Sequence, residues 1–160
     1  MTRDEFVQAK LFMFSDVCRE MQLAKADPKV LVASGVNPGG GNFLAALGLL
    51  CYTEFGGKLK FGVKRQNGTD VASANFNQFF DSLGQDYQSF RVSHDVYDIF
   101  RCGLAHEYYT KKNTTIAMFA NEPGPGIGIN PSGDYYFVVE SYSRDLEKAF
   151  DKLQIELDGS

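Results

Sequence analysis

An arginine, a histidine and a tyrosine stand close together in "FRCGLAHEYYTKK", as Arg101, His106 and Tyr108. Imidazole titrates near neutral pH, so it can take a proton from a ribose 2′-hydroxyl or return one to a leaving oxygen. A guanidinium grips a phosphate by two parallel hydrogen bonds and offsets charge that builds in a transition state. Together the two groups are a minimal kit for metal-independent RNA cleavage by attack of the 2′-oxygen. The same residues also have a purely structural reading. Asp98 and Arg101 are spaced for an i,i+3 ion pair worth about 0.3 kcal/mol, and His106 can be a half-buried ring bonded to a carbonyl.

The element that carries these residues decides what they can reach. Apolar periodicity predicts a helix from Val92 to Tyr108. On a wheel of about 100° per residue, Val92, Val96, Ile99, Phe100 and Gly103 face the core. His94, Asp98, Arg101, Ala105 and Tyr108 lie opposite, and Asp95, Cys102 and His106 form the boundary stripe. Arg101 and His106 therefore diverge by about 140°, and one straight helix does not bring both to one atom. They can flank a groove, above all one closed by a second copy of the same helix. Gly103 is a place where the helix can bend.

Other helices are expected around it. "RDEFVQAKLFMFSDVCREMQLAKAD" reads as a long amphipathic helix with Val7, Leu11, Phe14, Cys18 and Met21 at three- and four-residue steps, ended by Pro28. "FLAALGLLCYTEF" is apolar nearly all round and reads as a buried central helix stopped by Gly56 and Gly57. "KLKFGVKRQNGTD" reads as a basic connection. "ASANFNQFFDSLGQDYQSF" is a third helix with Phe76, Phe79, Phe80, Leu83 and Tyr87 on one face. After the Arg/His helix the period changes. "TTIAMFA", "GIGIN" and "YYFVVES", separated by "NEPGPG" and "PSGD", read as a small β-hairpin or meander around 114–141. "SRDLEKAFDKLQIEL" closes the chain as a helix capped by Ser143, with Leu146, Ala149, Phe150, Leu153 and Leu157 as its stripe. The expected fold is mainly α, an antiparallel four- or five-helix bundle with the strands inserted before the last helix.

Composition limits the function classes. A chain of 160 residues suits one domain with one core, and its 44% hydrophobic content is ordinary for a globular protein. A net charge of −4 gives no global basic footprint for nucleic acid, though it leaves room for a local patch. Cys18, Cys51 and Cys102 are odd in number and scattered, which argues against a disulfide framework or a zinc ribbon. The longest apolar run is too short to span a bilayer and no secretory leader is visible, so the expectation is a cytoplasmic protein with no membrane partner.

The pattern Arg101-Cys-Gly-Leu-Ala-His106-Glu-Tyr108 matches R-x4-H-x-Y and resembles the signature of HEPN-domain proteins, particularly HEPN toxins paired with minimal nucleotidyltransferases. The resemblance implies a single helical domain over 1–160 with the β-hairpin around 114–141 as an insertion, a homodimer, and a metal-independent endoribonuclease of toxin or defence type that needs no cofactor. It implies that Arg101 binds the scissile phosphate and that His106 is the general acid/base, in a cleft shared by two protomers. It also implies that Tyr108 is the residue a nucleotidyltransferase-type antitoxin partner would modify to block activity. Asp98, Cys102 and Glu107 would support the pair. Cys102 stands where active members often carry a polar residue, and the strands and last helix lie outside the minimal bundle. The alternative is a non-catalytic helical module that binds a partner protein or a nucleotide.

Further residues carry weaker chemistry. Lys58, Lys60, Lys64 and Arg65, with Lys111 and Lys112, form either a basic rim for phosphates or an ordinary solvated face. "NPGGGN" precedes a helix and can hold an anion on free N–H groups, but lacks the lysine of a phosphate loop; a tight turn is the simpler reading. Cys102 and His106 at i,i+4 suggest a thiol–imidazole pair, against which stands ordinary packing of a cysteine. His94 and Asp98 supply two ligands for a metal, too few without a third, so no metal site is expected. The sequons at Asn67 and Asn113 carry no meaning without secretion.

Overall fold

The computed structural model describes residues 1–108, 111–118 and 124–159. Its first helix, α1 (Arg3–Lys25), opens on a capping box in which Thr2 accepts from the Glu5 N–H while Glu5 accepts from the Thr2 N–H. Asp27 and Pro28 then start a short helix, α2 (Pro28–Ala33), where the sequence pattern shows only a loop. Pro28 ends one helix and, at the first position of the next, begins another.

The buried face of α1 is Phe6, Met13 and Val17. The expected stripe was displaced by one position: Leu11 and Cys18 are exposed, and Val7 and Phe14 are only partly covered. Both stripes are apolar, and the ring of Phe150 decides between them. Phe6 stacks on it at 6.0 Å and Phe14 meets it edge-on at 5.7 Å.

Helix α3 (Asn42–Lys60) is central and packs against α1 and against two helices that follow it, α4 (Ala72–Asp81) and α7 (Val139–Asp158). It runs straight through Gly56 and Gly57, which were expected to stop it. The two glycines serve packing instead. A Cβ on Gly57 would lie 1.9 Å from the Asn75 carbonyl oxygen of α4, and one on Gly56 would lie 2.6 Å from the Phe79 ring. Asn75 is itself buried, and its carboxamide takes the Val63 N–H at 2.8 Å, so the turn between the helices is tied to the contact.

The expected third helix is two. It breaks after Asp81, and Gly84 (φ 148°) leads into α5 (Gln85–Ser93). The expected fourth helix is also divided. Val92 lies in the last turn of α5 on the surface at 76% exposure, and His94 is extended. The chain restarts as a π-helical segment (Tyr97–Cys102) and continues as α6 (Gly103–Glu107). Asp95 explains the restart: its side chain accepts the Asp98 N–H at 3.0 Å, as a capping residue does. Val96, Ile99, Phe100 and Leu104 are the buried face.

Three short strands follow: β1 (Thr115–Ala117), β2 (Ile127–Ile129) and β3 (Tyr135–Val138). β2 and β3 form the expected hairpin, closed by Asn130, whose side chain accepts from Ser132 and Asp134. The sheet is not a meander, because β1 joins the far side of β3 in parallel and the order is β1-β3-β2. Part of the "NEPGPG" connection lies outside the described residues. β3 passes directly into α7, which starts at Val139, so Ser143 is a buried helical residue and not a cap. Leu146, Ala149, Phe150 and Leu153 are buried as expected, whereas Leu157 is 37% exposed on the last turn.

The two glycine environments give opposite expected outcomes. Gly57→Ala forces backbone apart and should cost about 3 kcal/mol or more in denaturant unfolding. Gly48, in the same helix, has only the Tyr52 ring at 3.7 Å as its nearest neighbour. Gly48→Ala should be neutral or stabilise by about 0.5–1 kcal/mol through helix propensity. Equal effects at the two positions would refute the packing role of Gly57.

Candidate functional site

Arg101 sits in the π-helical segment and turns inward against α3. Its Nε donates to Glu54 Oε2 at 2.9 Å, and its guanidinium carbon lies 6.0 Å from the centre of the Tyr97 ring. Tyr97 Oη reaches the same carboxylate oxygen at 3.5 Å. The arginine side chain is 19% exposed and the glutamate 26%. The expected Asp98–Arg101 pair is not formed. Asp98 instead accepts from Lys111 Nζ at 2.8 Å, and Lys111 also donates its backbone N–H to the Ile99 carbonyl. An ideal helix puts Arg101 with the solvent-facing residues. The break at His94 and the wider π turn remove the basis for that placement.

The arginine lines a pocket of about 300 Å³ with Cys51, Glu54 and Lys58 from α3, Asp70 from the turn before α4, and Ala72 and Asn75 from the start of α4. Burial works against the charge of Arg101, but Cys51, Glu54 and Tyr97 together hold its pKa above the ordinary value. Tyr97 is pushed up first by burial and then by Glu54. None of these partners belongs to the eight-residue motif. The one sequence signal for Glu54 is its position as a lone charge within "ALGLLCYTEF", since a charge on a mostly apolar helix needs a partner.

His106 lies on the last turn of α6, exposed with Ala105 and Glu107, and its ring makes no hydrogen bond among the described residues. The half-buried, carbonyl-bonded histidine is therefore not what the fold builds. His106 is not part of the wall of the Arg101 pocket. Tyr108, 60% exposed, ends the helix in the left-handed region (φ 49°), and its ring lies 6.0 Å from that of Phe43. Within one chain the fold groups Arg101 with α3 and α4, and His106 with Glu107 and Tyr108 on the surface.

The six cations are dispersed. Lys58 and Lys60 belong to α3, not to a connection. Lys58 pairs with Asp70 at 2.6 Å and Lys60 with Glu156 at 2.6 Å. Lys64 and Arg65 stand exposed on the turn before α4, where the Arg65 N–H donates to the Thr69 carbonyl. Lys112 places its Nζ 5.7 Å from the Tyr135 ring centre. Three of the six thus already meet a carboxylate, which weakens a continuous phosphate rim.

The remaining candidates are resolved by their neighbours. In "NPGGGN" the three glycines 39–41 all have φ near 80°, and a Cβ on Gly41 would meet Glu20 Oε2 at 2.9 Å. A carboxylate already stands at that helix start, which disfavours an anionic ligand. His94 and Asp98 do not converge: His94 Nδ1 is 3.0 Å from Tyr135 Oη, while Asp98 holds Lys111. Among the described residues no group of three His, Cys, Asp or Glu side chains is placed to hold a metal. No described helix is long and apolar enough to cross a membrane. The chain matches no family model, no curated protein and no solved structure.

Burial raises the thiol of Cys102 above its ordinary pKa, with Arg101 opposing, and burial raises Cys51 in the same way. Thiolate is the reactive form, and a raised pKa lowers its fraction at neutral pH. At pH 7.5 an alkylating reagent should modify exposed Cys18 first, with Cys51 and Cys102 following only as the pH rises above about 8.5. Mass-resolved labelling rates test this. Preferential labelling of Cys102 at neutral pH would restore the thiol–imidazole reading.

Proposed function

We propose that the protein is a HEPN-like, cytoplasmic RNA-acting protein, a metal-independent endoribonuclease that works as a homodimer. In this reading α1, α3, α4 and α7 constitute the antiparallel bundle. Arg101 binds the scissile phosphate and His106 moves the proton. The reading is carried by the contrast between the two side chains. Arg101 is held through Nε alone by Glu54, with no further hydrogen bond to its terminal nitrogens among the described residues. His106 is exposed on the same helical stretch, with no hydrogen bond to its ring among the described residues. A guanidinium with an oriented base and open tips, and an imidazole open to solvent, are what phosphate binding and proton transfer require. Their separation within one chain is met by a second copy, whose His106 would complete the cleft. The exposed Tyr108 hydroxyl suits modification by a nucleotidyltransferase-type antitoxin partner.

Purified protein should cleave single-stranded RNA in EDTA and leave 2′,3′-cyclic phosphate ends. Arg101→Ala and His106→Ala should each lower the rate about 100-fold or more, with circular dichroism and melting unchanged for His106→Ala. Tyr108→Phe should cleave like the parent. Cleavage only with added magnesium, or cleavage that survives both substitutions, would overturn the assignment. No turnover at all would leave the non-catalytic interaction or nucleotide-binding module as the better reading.

A further inference from the structure

We propose that Glu54 is the positioning residue for Arg101: its carboxylate accepts the Nε–H and thereby sets where the two terminal nitrogens of the guanidinium point. This rests on the RNA-cleaving reading of Arg101. An arginine side chain loses rotamer entropy when fixed, and a group that must meet a phosphate in one geometry works best when that cost is met before substrate arrives. Glu54 is suited to the task. It stands on the stiff middle of α3, next to Thr53, which is fully buried and joined to Leu49 O at 2.9 Å and Tyr142 Oη at 2.8 Å. Two residues further on, Gly56 and Gly57 lock the same helix against α4. The carboxylate therefore has little freedom to follow Arg101; Arg101 follows it. Tyr97 adds a second hold, with its hydroxyl at 3.5 Å from the same oxygen and its ring near the guanidinium carbon.

The contact also has a charge consequence. A guanidinium carries about five N–H donors, so one bond at Nε leaves about four for a phosphate. The negative charge on Glu54 opposes an incoming phosphate even as it aims the arginine. Positioning and repulsion are therefore separable by substitution. Glu54→Gln keeps an acceptor oxygen and removes the charge, whereas Glu54→Ala removes both.

The test pairs kinetics with a readout that does not need activity. In EDTA, Glu54→Ala should lower kcat for RNA cleavage about 10- to 100-fold. Glu54→Gln should hold kcat within about threefold of the parent and lower KM, as loss of one opposing charge predicts. Arginine Nε–H nuclear magnetic resonance, with the Arg101 signal assigned by its absence in Arg101→Lys, should show slow proton exchange in the parent and in Glu54→Gln. That protection should be lost in Glu54→Ala. Should Glu54→Ala melt early because Arg101 is left half-buried and unpaired, Glu54→Asp is the second variant. Its carboxylate is one methylene shorter, and it should shift the Arg101 signal and lower kcat while remaining folded. Glu54→Ala, or Glu54→Asp in its place, that cleaves like the parent or keeps the parent Arg101 signal would overturn the positioning role. If the parent itself does not cleave RNA, the nuclease reading fails, and the exchange measurement still decides whether Glu54 orients Arg101.

Discussion

Helices α3 and α4 touch backbone to backbone, and much of the molecule is arranged around that contact. Gly57 faces the Asn75 carbonyl where any side chain would collide, and Gly56 receives the Phe79 ring. Such an approach admits one register between the helices, because a slide along the axis would bring a side chain against backbone. Phe79 is thereby placed edge-on to Phe150 at 5.3 Å, and Phe150 in turn receives Phe6 and Phe14 of α1 and stacks on Phe55 of α3. One ring thus joins α1, α3, α4 and α7. The same register sets Cys51, Glu54 and Lys58 across from Asp70 and Asn75 and so creates the walls of the Arg101 pocket.

The helical character, the change of period after the Arg/His helix and most of the α7 stripe were legible in the sequence, because each depends on local apolar spacing. What failed were judgements that depend on a partner. Gly56 and Gly57 are helix-breaking by propensity, yet a second helix needs their missing side chains, and packing outweighs a cost of about 1 kcal/mol per glycine. The α1 stripe was ambiguous because two adjacent apolar rows exist, and only the position of Phe150 selects the Phe6 row. Residues 92–108 were read as one helix because Val92 and Val96 keep the spacing. Asp95, a good capping residue, was the overlooked mark of a new start. The parallel pairing of β1 with β3 leaves no local trace, since it joins segments that are distant along the chain.

The site was legible as residue types and not as geometry. Arg101, His106 and Tyr108 could be named from one short motif, but their surroundings come from elsewhere in the chain. The ion pair suggested by spacing, Asp98 with Arg101, loses to two tertiary pairs, Glu54 with Arg101 and Lys111 with Asp98. An i,i+3 pair on an exposed face is worth only tenths of a kcal/mol. A half-buried glutamate cannot remain without a partner at so small a cost, so the tertiary pair prevails.

That outcome shapes how the proposed chemistry would work. An arginine free on the surface would be hydrated, mobile and exposed to any phosphate. Arg101 is instead partly shielded and held at one nitrogen by a residue of the central helix, while His106 is exposed on the surface beyond Gly103. The chain therefore keeps Arg101 and His106 in different settings, one held by Glu54 and one exposed. On the proposed reading, neither group alone cleaves RNA at an appreciable rate, and juxtaposition by a second copy supplies what the single chain withholds. Dimerisation then becomes the natural point of control. On the same reading, a nucleotide added to exposed Tyr108, two residues beyond His106, would block entry to the shared cleft without disturbing the core.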